Sequence, residues 1–219
     1  MDTPPIRLYD YAASCNCYKV RLLLAHLGRP YERISVDIFD GDTLTEEFGQ
    51  MNPMRTTPVL ELAPGSYLPE SNAILAYLAH GSRYVPEDPH AFAQVLRWLI
   101  YEQTDVVPMI GGLRFRLLTG RLDAEDSDAR RRRRGAIEVL QLLDEHLHDR
   151  EFFVAEVYSI ADIALFGYTH LAHEPGLDLT PYANVKAWIQ RVTQQPGFIE
   201  DVEPYGPTAR PGAGRSLYG

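Results

Sequence analysis

Apolar residues recur along this chain with two different periods, and the change between them divides it. In the first third, short apolar runs alternate with helical spacings. Ile6-Arg7-Leu8-Tyr9 reads as a strand. Cys17, Val20, Leu24 and Leu27 fall at i, i+3, i+7 and i+10, which predicts a helix from about Cys15 to Leu27. Ser14 is a good N-cap for it and Gly28 a fitting stop. Tyr31 to Ile38 alternates well enough for a second strand, and a weak helix is expected around Thr45 to Gly49. Val59, Leu60 and Leu62 make a strand approached through Thr57-Pro58, because proline is confined to a strand's first position or its edge. Pro64-Gly65-Ser66 turns the chain into Tyr67-Leu68. Ile74, Leu75 and Leu78 then give a helix that ends at Gly81. The order is β-α-β-α-β-β-α. Strands separated by helices imply a parallel pair, and the closely spaced last two imply an antiparallel one.

Ser82 to Pro89 carries two prolines and charges, follows Gly81, and reads as a linker. Beyond it the pattern is helical. Ala91 to Leu118 is apolar on one side, with Pro108 or Gly111-Gly112 as the expected kink. Further helices are predicted over Asp128 to Leu147, Ile160 to Ala172 and Val185 to Thr193, with a short last one beginning at Phe198. Ser159-Ile160-Ala161-Asp162 fits a capping box, with Tyr158 and Ile163 at the staple positions. Pro204 to Gly219 is rich in Pro and Gly and is expected to be irregular or a mobile flap. The expected division is an α/β domain over 1–82, an all-α domain over 90–203 and a tail over 204–219.

Composition narrows the function classes. The chain has 219 residues, 45% hydrophobic and 23% charged, ordinary values for a soluble globular protein. A net charge of −9 argues against nucleic acid or an anionic membrane as the main partner. No run of about 18 apolar residues exists to span a membrane. Met1 to Pro5 lacks the regions of a signal peptide, so a cytoplasmic location is expected. Cys15 and Cys17 are the only cysteines and too close for a structural staple. Arg130 to Arg134 spread all round a helix, so a solvated, salt-bridged helix start is favoured over a nucleic-acid patch. The seven histidines show no metal-binding spacing, and no metal is expected.

Two stretches could carry chemistry. Ser14-Cys15-Asn16-Cys17 follows a strand and opens a helix, where thioredoxin-like redox proteins place C-x-x-C. Ser14 in the first position removes the dithiol relay, and a serine at a helix start can donate its hydroxyl to an anion such as a thiolate. Cys17 reads as a small buried hydrophobe. Cys15, at the helix start, could be a reactive thiol. Glu70-Ser71 opens another helix, whose free N–H groups and dipole attract anions. A Thr-Pro strand start beside that helix suits an extended, peptide-like, anionic ligand. A hairpin and a capped helix account for the same residues without one.

Together these motifs resemble a cytosolic glutathione transferase over nearly the whole chain. The resemblance rests on Tyr9 to Arg21, Asn52-Pro53 before Thr57-Pro58-Val59-Leu60, Glu70-Ser71 with Ala73-Ile74 and Tyr77-Leu78, and Ser159 to Asp162. It implies a thioredoxin-like N-terminal domain and an all-helical C-terminal one. It implies that Ser14 hydrogen-bonds the glutathione sulfur, that Pro58 is a cis-proline and that the Thr57 backbone pairs with the cysteinyl part. Glu70 and Ser71 would hold the γ-glutamyl end, and Arg55 the glycyl carboxylate. Cys15, Asn16 and Lys19 would be helpers at most. The Asp10 to Ala13 loop, the segment near Met109 to Arg116 and the tail would line the electrophile pocket. The implied activity is detoxifying attack by glutathione thiolate on a hydrophobic electrophile, in a homodimer. The Ser-Cys-Asn-Cys run is partly similar to the zeta class, which isomerises maleylacetoacetate. The other readings are a glutathione-dependent disulfide or peroxide reductase and a non-catalytic binding or regulatory protein on the same fold.

Overall fold

β1 (Ile6–Asp10) is the strand on which the first unit is built. It pairs in parallel with β2 (Tyr31–Ser35) on one side and antiparallel with β3 (Val59–Ala63) on the other. β3 turns through Gly65 into β4 (Ser66–Pro69), giving a four-stranded mixed sheet in the order β2-β1-β3-β4. The computed structural model of the protein describes residues 6–154 and 156–214. Its contacts divide the chain into one unit of Met1–Leu78 with the chain from Ile199 onward, and a second unit of Ala79–Phe198.

Three helices accompany the sheet: α1 (Cys15–His26), α2 (Glu46–Met51) and α3 (Ser71–Ala79). Tyr9, Val36, Phe48, Met51 and Val59 form a core cluster between the sheet and α2. The apolar pattern gives α1 a single buried face, but the helix is buried nearly all round, including Lys19 and Arg21. The second face is covered by chain that returns from residue 199. The Tyr18 hydroxyl donates to the Ile199 carbonyl at 2.7 Å, and Arg21 Nε donates to Asp201 Oδ2 at 2.8 Å. A contact about 180 residues away leaves no trace in local periodicity.

That returning chain corrects two expectations. No helix begins at Phe198, and the described part of the tail is irregular but pinned. Thr208 donates to Asp37 at 2.9 Å, and a Cβ on Gly214 would stand 2.6 Å from the Ile38 carbonyl oxygen.

The second unit is helical: α4 (Pro89–Tyr101), α5 (Gly112–Leu118), α6 (Ser127–His146), α7 (Ile160–Thr169) and α8 (Ala183–Thr193). The expected kink between α4 and α5 is instead a π-helix over Glu102–Gly111. Pro108 lies inside it. Proline has no N–H to donate and its ring presses on the carbonyl four residues back, and a wider turn relieves both problems. The Pro108 carbonyl accepts from Arg132 Nη1 at 2.6 Å. Glycines let this segment pack closely. A Cβ on Gly111 would stand 2.7 Å from the Tyr168 ring, and one on Gly135 would stand 2.5 Å from the Met109 sulfur. Among the described residues no helix is long and apolar enough to cross a membrane.

α7 is the wholly buried centre of this unit. Its capping box forms: Ser159 Oγ accepts from Ala161 N at 3.2 Å, and Asp162 accepts from Ser159 N at 3.0 Å. The carboxylate also accepts from Phe153 N at 3.1 Å and from Trp188 Nε1 at 3.0 Å. Burial pushes the Asp162 carboxyl up to about 6, against the pull of these donors. Asp162 therefore joins α7, the 153 segment and α8, which is more than a cap. Asp162→Ala strands several buried donors at about 1–3 kcal/mol each. It should lower the unfolding free energy in urea by more than the roughly 1 kcal/mol of an ordinary cap, and a loss no larger than that would show the cap is its only role.

Candidate active site

The loop Tyr11–Ala13 leaves β1 and delivers Ser14 to the head of α1. Ser14 N donates to the Tyr11 carbonyl at 3.0 Å, and Ser14 has the extended backbone of an N-cap, with φ −82° and ψ 121°. Its Oγ accepts from Cys17 N at 3.3 Å. That bond occupies a lone pair and leaves the hydroxyl proton for a ligand or for the Cys17 sulfur. Cys17 lies beneath, fully buried, and its sulfur accepts from Tyr11 N at 3.4 Å. Burial, then the charge of Asp10, pushes the Cys17 thiol up to about 12, although the Thr57 and Ser14 hydroxyls and the Tyr11 amide favour its thiolate. One inert sulfur thus marks where Ser14 and Thr57 meet. Cys15 is also fully buried, which removes the exposure a reactive thiol needs.

The Thr57–Pro58 peptide bond is cis, and Pro58 is buried just before β3. Asn52 holds this approach: its Nδ2 donates to the Thr56 carbonyl at 2.9 Å and its Oδ1 accepts from Met54 N at 3.0 Å. Arg55 has a positive φ of 54°, and its Nη1 donates to the carbonyls of Thr43 and Thr45 at 2.9 and 2.7 Å. Its guanidinium lies against Gly49, where a Cβ would stand 2.5 Å from Nη2. Arg55 thus has a structural duty in clamping the segment before and through α2.

Glu70 precedes α3 with a φ of 74°, an uncommon conformation for a non-glycine residue and of a kind that clusters at ligand sites. Its side chain is exposed, whereas Ser71 is buried. Ser71 Oγ lies 3.4 Å from Asn16 Oδ1, and the buried Lys19 donates from Nζ to Asn72 Oδ1 at 3.2 Å. Two side-chain bridges therefore tie the head of α1 to the head of α3. Ser14, Asn16, Thr57 and Ser71 come together, while Arg55 is turned toward residues 43–49.

Sequence reasoning missed the framework behind this group. Asp10 is 1% exposed and Arg21 0%. Asp10 accepts from both Arg21 and Arg33. Arg21 Nη2 also donates to the Ala12 carbonyl at 3.2 Å, and Glu203 N donates to the same carbonyl at 3.2 Å. The Tyr205 ring lies 6.3 Å from those of both Tyr11 and Phe39. The loop carrying Ser14 is thus clamped from α1 and from the tail. The available signal was Arg21, which falls four residues after Cys17 on the apolar side of the helix, where an unpaired charge does not stay.

Residues 13–80 match the family model for the glutathione S-transferase N-terminal domain, and residues 101–196 match that for its C-terminal domain. The glutathione S-transferase of Pseudomonas fluorescens has a solved structure that is 41% identical with a TM-score of 0.88, covering 91% of this chain and all of that one. The chain belongs to the glutathione S-transferase family. A further family member from Pseudomonas fluorescens, solved with two glutathione molecules bound, is 29% identical with a TM-score of 0.78 and covers 88% of this chain and 90% of its own. The maleylacetoacetate isomerase of Dictyostelium discoideum is 28% identical, covering 93% of this chain and 96% of its own. In this glutathione S-transferase no group of three His, Cys, Asp or Glu side chains is placed to hold a metal among the described residues. The ring of His170 is engaged with the Phe166 carbonyl and stacked on the Phe166 ring.

The burial of both thiols is directly testable. With an aromatic disulfide reagent at pH 8, Cys15 and Cys17 should react at least roughly a hundredfold more slowly in the native protein than after unfolding. Rapid labelling of either in the native state would show that the head of α1 opens readily.

Proposed function

We propose that this glutathione S-transferase binds glutathione along the first unit, with Ser14 as the sulfur ligand, and directs the thiolate at a small hydrophobic electrophile. The observation that carries this reading is the position of Ser14. It heads α1 with a proton to donate, above a cysteine whose thiol burial keeps neutral. A thiolate arriving from a ligand would meet one O–H donor and the positive end of the helix dipole. Thr57, before the cis bond to Pro58, offers backbone groups to the cysteinyl part of the peptide. Glu70 and Ser71, at the head of α3, take the γ-glutamyl end, and the exposed Glu70 carboxylate suits its ammonium. Arg55 contributes charge to the glycyl carboxylate while its Nη1 stays on Thr43 and Thr45. Asn16 positions Ser71. Cys15 has no part in turnover. With both cysteines sealed, the serine-type transferase reading is favoured over a mixed-disulfide reductase.

A free cysteine thiol ionises near pH 8.5, so only a few per cent is thiolate at neutral pH. A hydrogen bond to a charged group is worth about 1.5–3 kcal/mol, or about one to two pKa units. The bound thiol should therefore ionise at lower pH than the free one. Ser14→Ala removes that donor and leaves the α3 grip. It should lower turnover by about ten- to a hundredfold, with a smaller effect on glutathione affinity. Thiolate absorbance, titrated against pH in the two binary complexes, checks this; equal pKa values in both would reduce Ser14 to a helix cap.

The same reading includes a homodimer. Phe92, Leu96 and Ile100 recur every four residues on α4 and are 37%, 39% and 63% exposed, an apolar stripe that a partner would cover. Sedimentation should give a species of twice the chain mass, and Ile100→Glu should shift it toward the monomer. A wild-type protein that sediments only as a single chain would rule the dimer out.

A further inference from the structure

Arg132 is the one member of the arginine run 130–134 that turns inward to the π-helix. Its Nε donates to Asp128 at 2.8 Å and its Nη1 to the Pro108 carbonyl. Arg131 takes the other oxygen of Asp128, at 2.6 Å from Nη2. Asp128 is thereby saturated. Arg116, on α5, faces the same ground. The point where a Cβ on Gly112 would stand is 2.7 Å from Arg132 Nη1 and 3.6 Å from Arg116 Nη1. Two guanidinium groups thus come together beside Gly112, and the Arg132 Nη1 lies where a side chain on it would stand. Among the described residues, the Arg116 guanidinium has no hydrogen bond or ion pair. Burial pushes its pKa down, and so do the charges of Arg132, Arg121 and Arg131, with Asp128 opposing them. Arg121 is held close by its place over the Phe115 ring, 5.0 Å from the centroid. Arg121, Arg131 and Arg132 thus all bear on Arg116, in a chain of net charge −9.

Like charges so arranged repel one another unless an anion joins them. The planar fork of arginine suits an acceptor with two or more oxygens, taken bidentately. We propose that Arg116 and Arg132, brought together beside Gly112, form a binding site in the helical unit for an oxyanion group, the phosphate or carboxylate of a small ligand. Asp128 is a positioning residue for this site, because it fixes Arg131 and Arg132 without touching the ligand. The site involves none of the residues assigned to glutathione, and it stands whether or not Ser14 acts on a thiolate.

Inorganic phosphate is the probe. Phosphate is titrated into the full-length protein at constant ionic strength in chloride, and binding is followed by phosphorus NMR. We expect saturable binding in the millimolar range, weakened at least tenfold by Arg116→Gln and less by Arg116→Lys, which keeps the charge but not the fork. Gly112→Ala keeps every charge and puts a methyl group where the Arg132 guanidinium lies, so the end of that side chain must shift away from Arg116. It should weaken phosphate by a similar factor. Arg116→Gln also relieves repulsion, so without phosphate its melting temperature should equal or exceed that of the wild type, which shows that the variant folds. No saturable binding by the wild type, or affinities within twofold for wild type, Arg116→Gln and Gly112→Ala, would overturn the proposal.

Discussion

The charge cluster that the buried Asp10 and Arg21 form with Arg33 and Asp201 is the constraint on which the first unit depends. Taking Asp10 and Arg21 out of water costs several kcal/mol per ion, and only near-complete pairing repays it. The structure meets that condition. Arg21 spends its donors on Asp10, on Asp201 and on the Ala12 carbonyl, while Asp10 also receives Arg33. These four residues come from β1, α1, β2 and the returning chain. The cluster therefore fixes the helix over the strand and holds the tail in place. The loop between Asp10 and α1 hangs inside this frame, and Ser14 is at its end. Removing one partner would leave a buried charge uncompensated, a larger disturbance than the loss of one surface ion pair.

Given that frame, the chemistry at the head of α1 needs little more. The buried Cys17 sulfur is kept neutral, so it does not compete as a nucleophile, yet it sits where the Ser14 and Thr57 hydroxyls both approach. Lys19 and Asn16 then carry the register of α1 across to α3. The result is two helix N-termini set beside a strand whose first residue follows a cis-proline. Each of these features offers backbone N–H groups or a fixed dipole, which suit an anionic peptide without the reorganisation that flexible side chains would need.

The helical unit uses a different device. Asp162 gathers amide, hydroxyl and indole donors from three segments. Gly111 lets the π-helix press against Tyr168, and Gly135 lets α6 take the Met109 side chain of the π-helix. A π-helix is rarely chosen for its own stability. Here Pro108 excludes a regular α-turn, and its own carbonyl accepts from Arg132. An arginine that the local sequence assigns to solvent is thus drawn inward by a proline on another element.

Local periodicity and capping chemistry were enough to determine most of the elements, though they gave a helix at Phe198 that does not form, and also the mixed sheet with its parallel and antiparallel pairs, Ser14 as an N-cap, and the Ser159–Asp162 box. These are settled by groups a few residues apart, and hydrophobic spacing, proline and glycine report such groups directly. The burial of Lys19 and Arg21, the anchoring of the tail, the π-helix and the inward turn of Arg132 came only from the tertiary structure. Each depends on a partner far along the chain: Asn72 for Lys19, Asp201 for Arg21, Asp37 for Thr208 and Pro108 for Arg132. A charged side chain shows no periodicity that tells a solvated position from a paired, buried one. That difference is one of desolvation against pairing, and only the three-dimensional neighbours decide it.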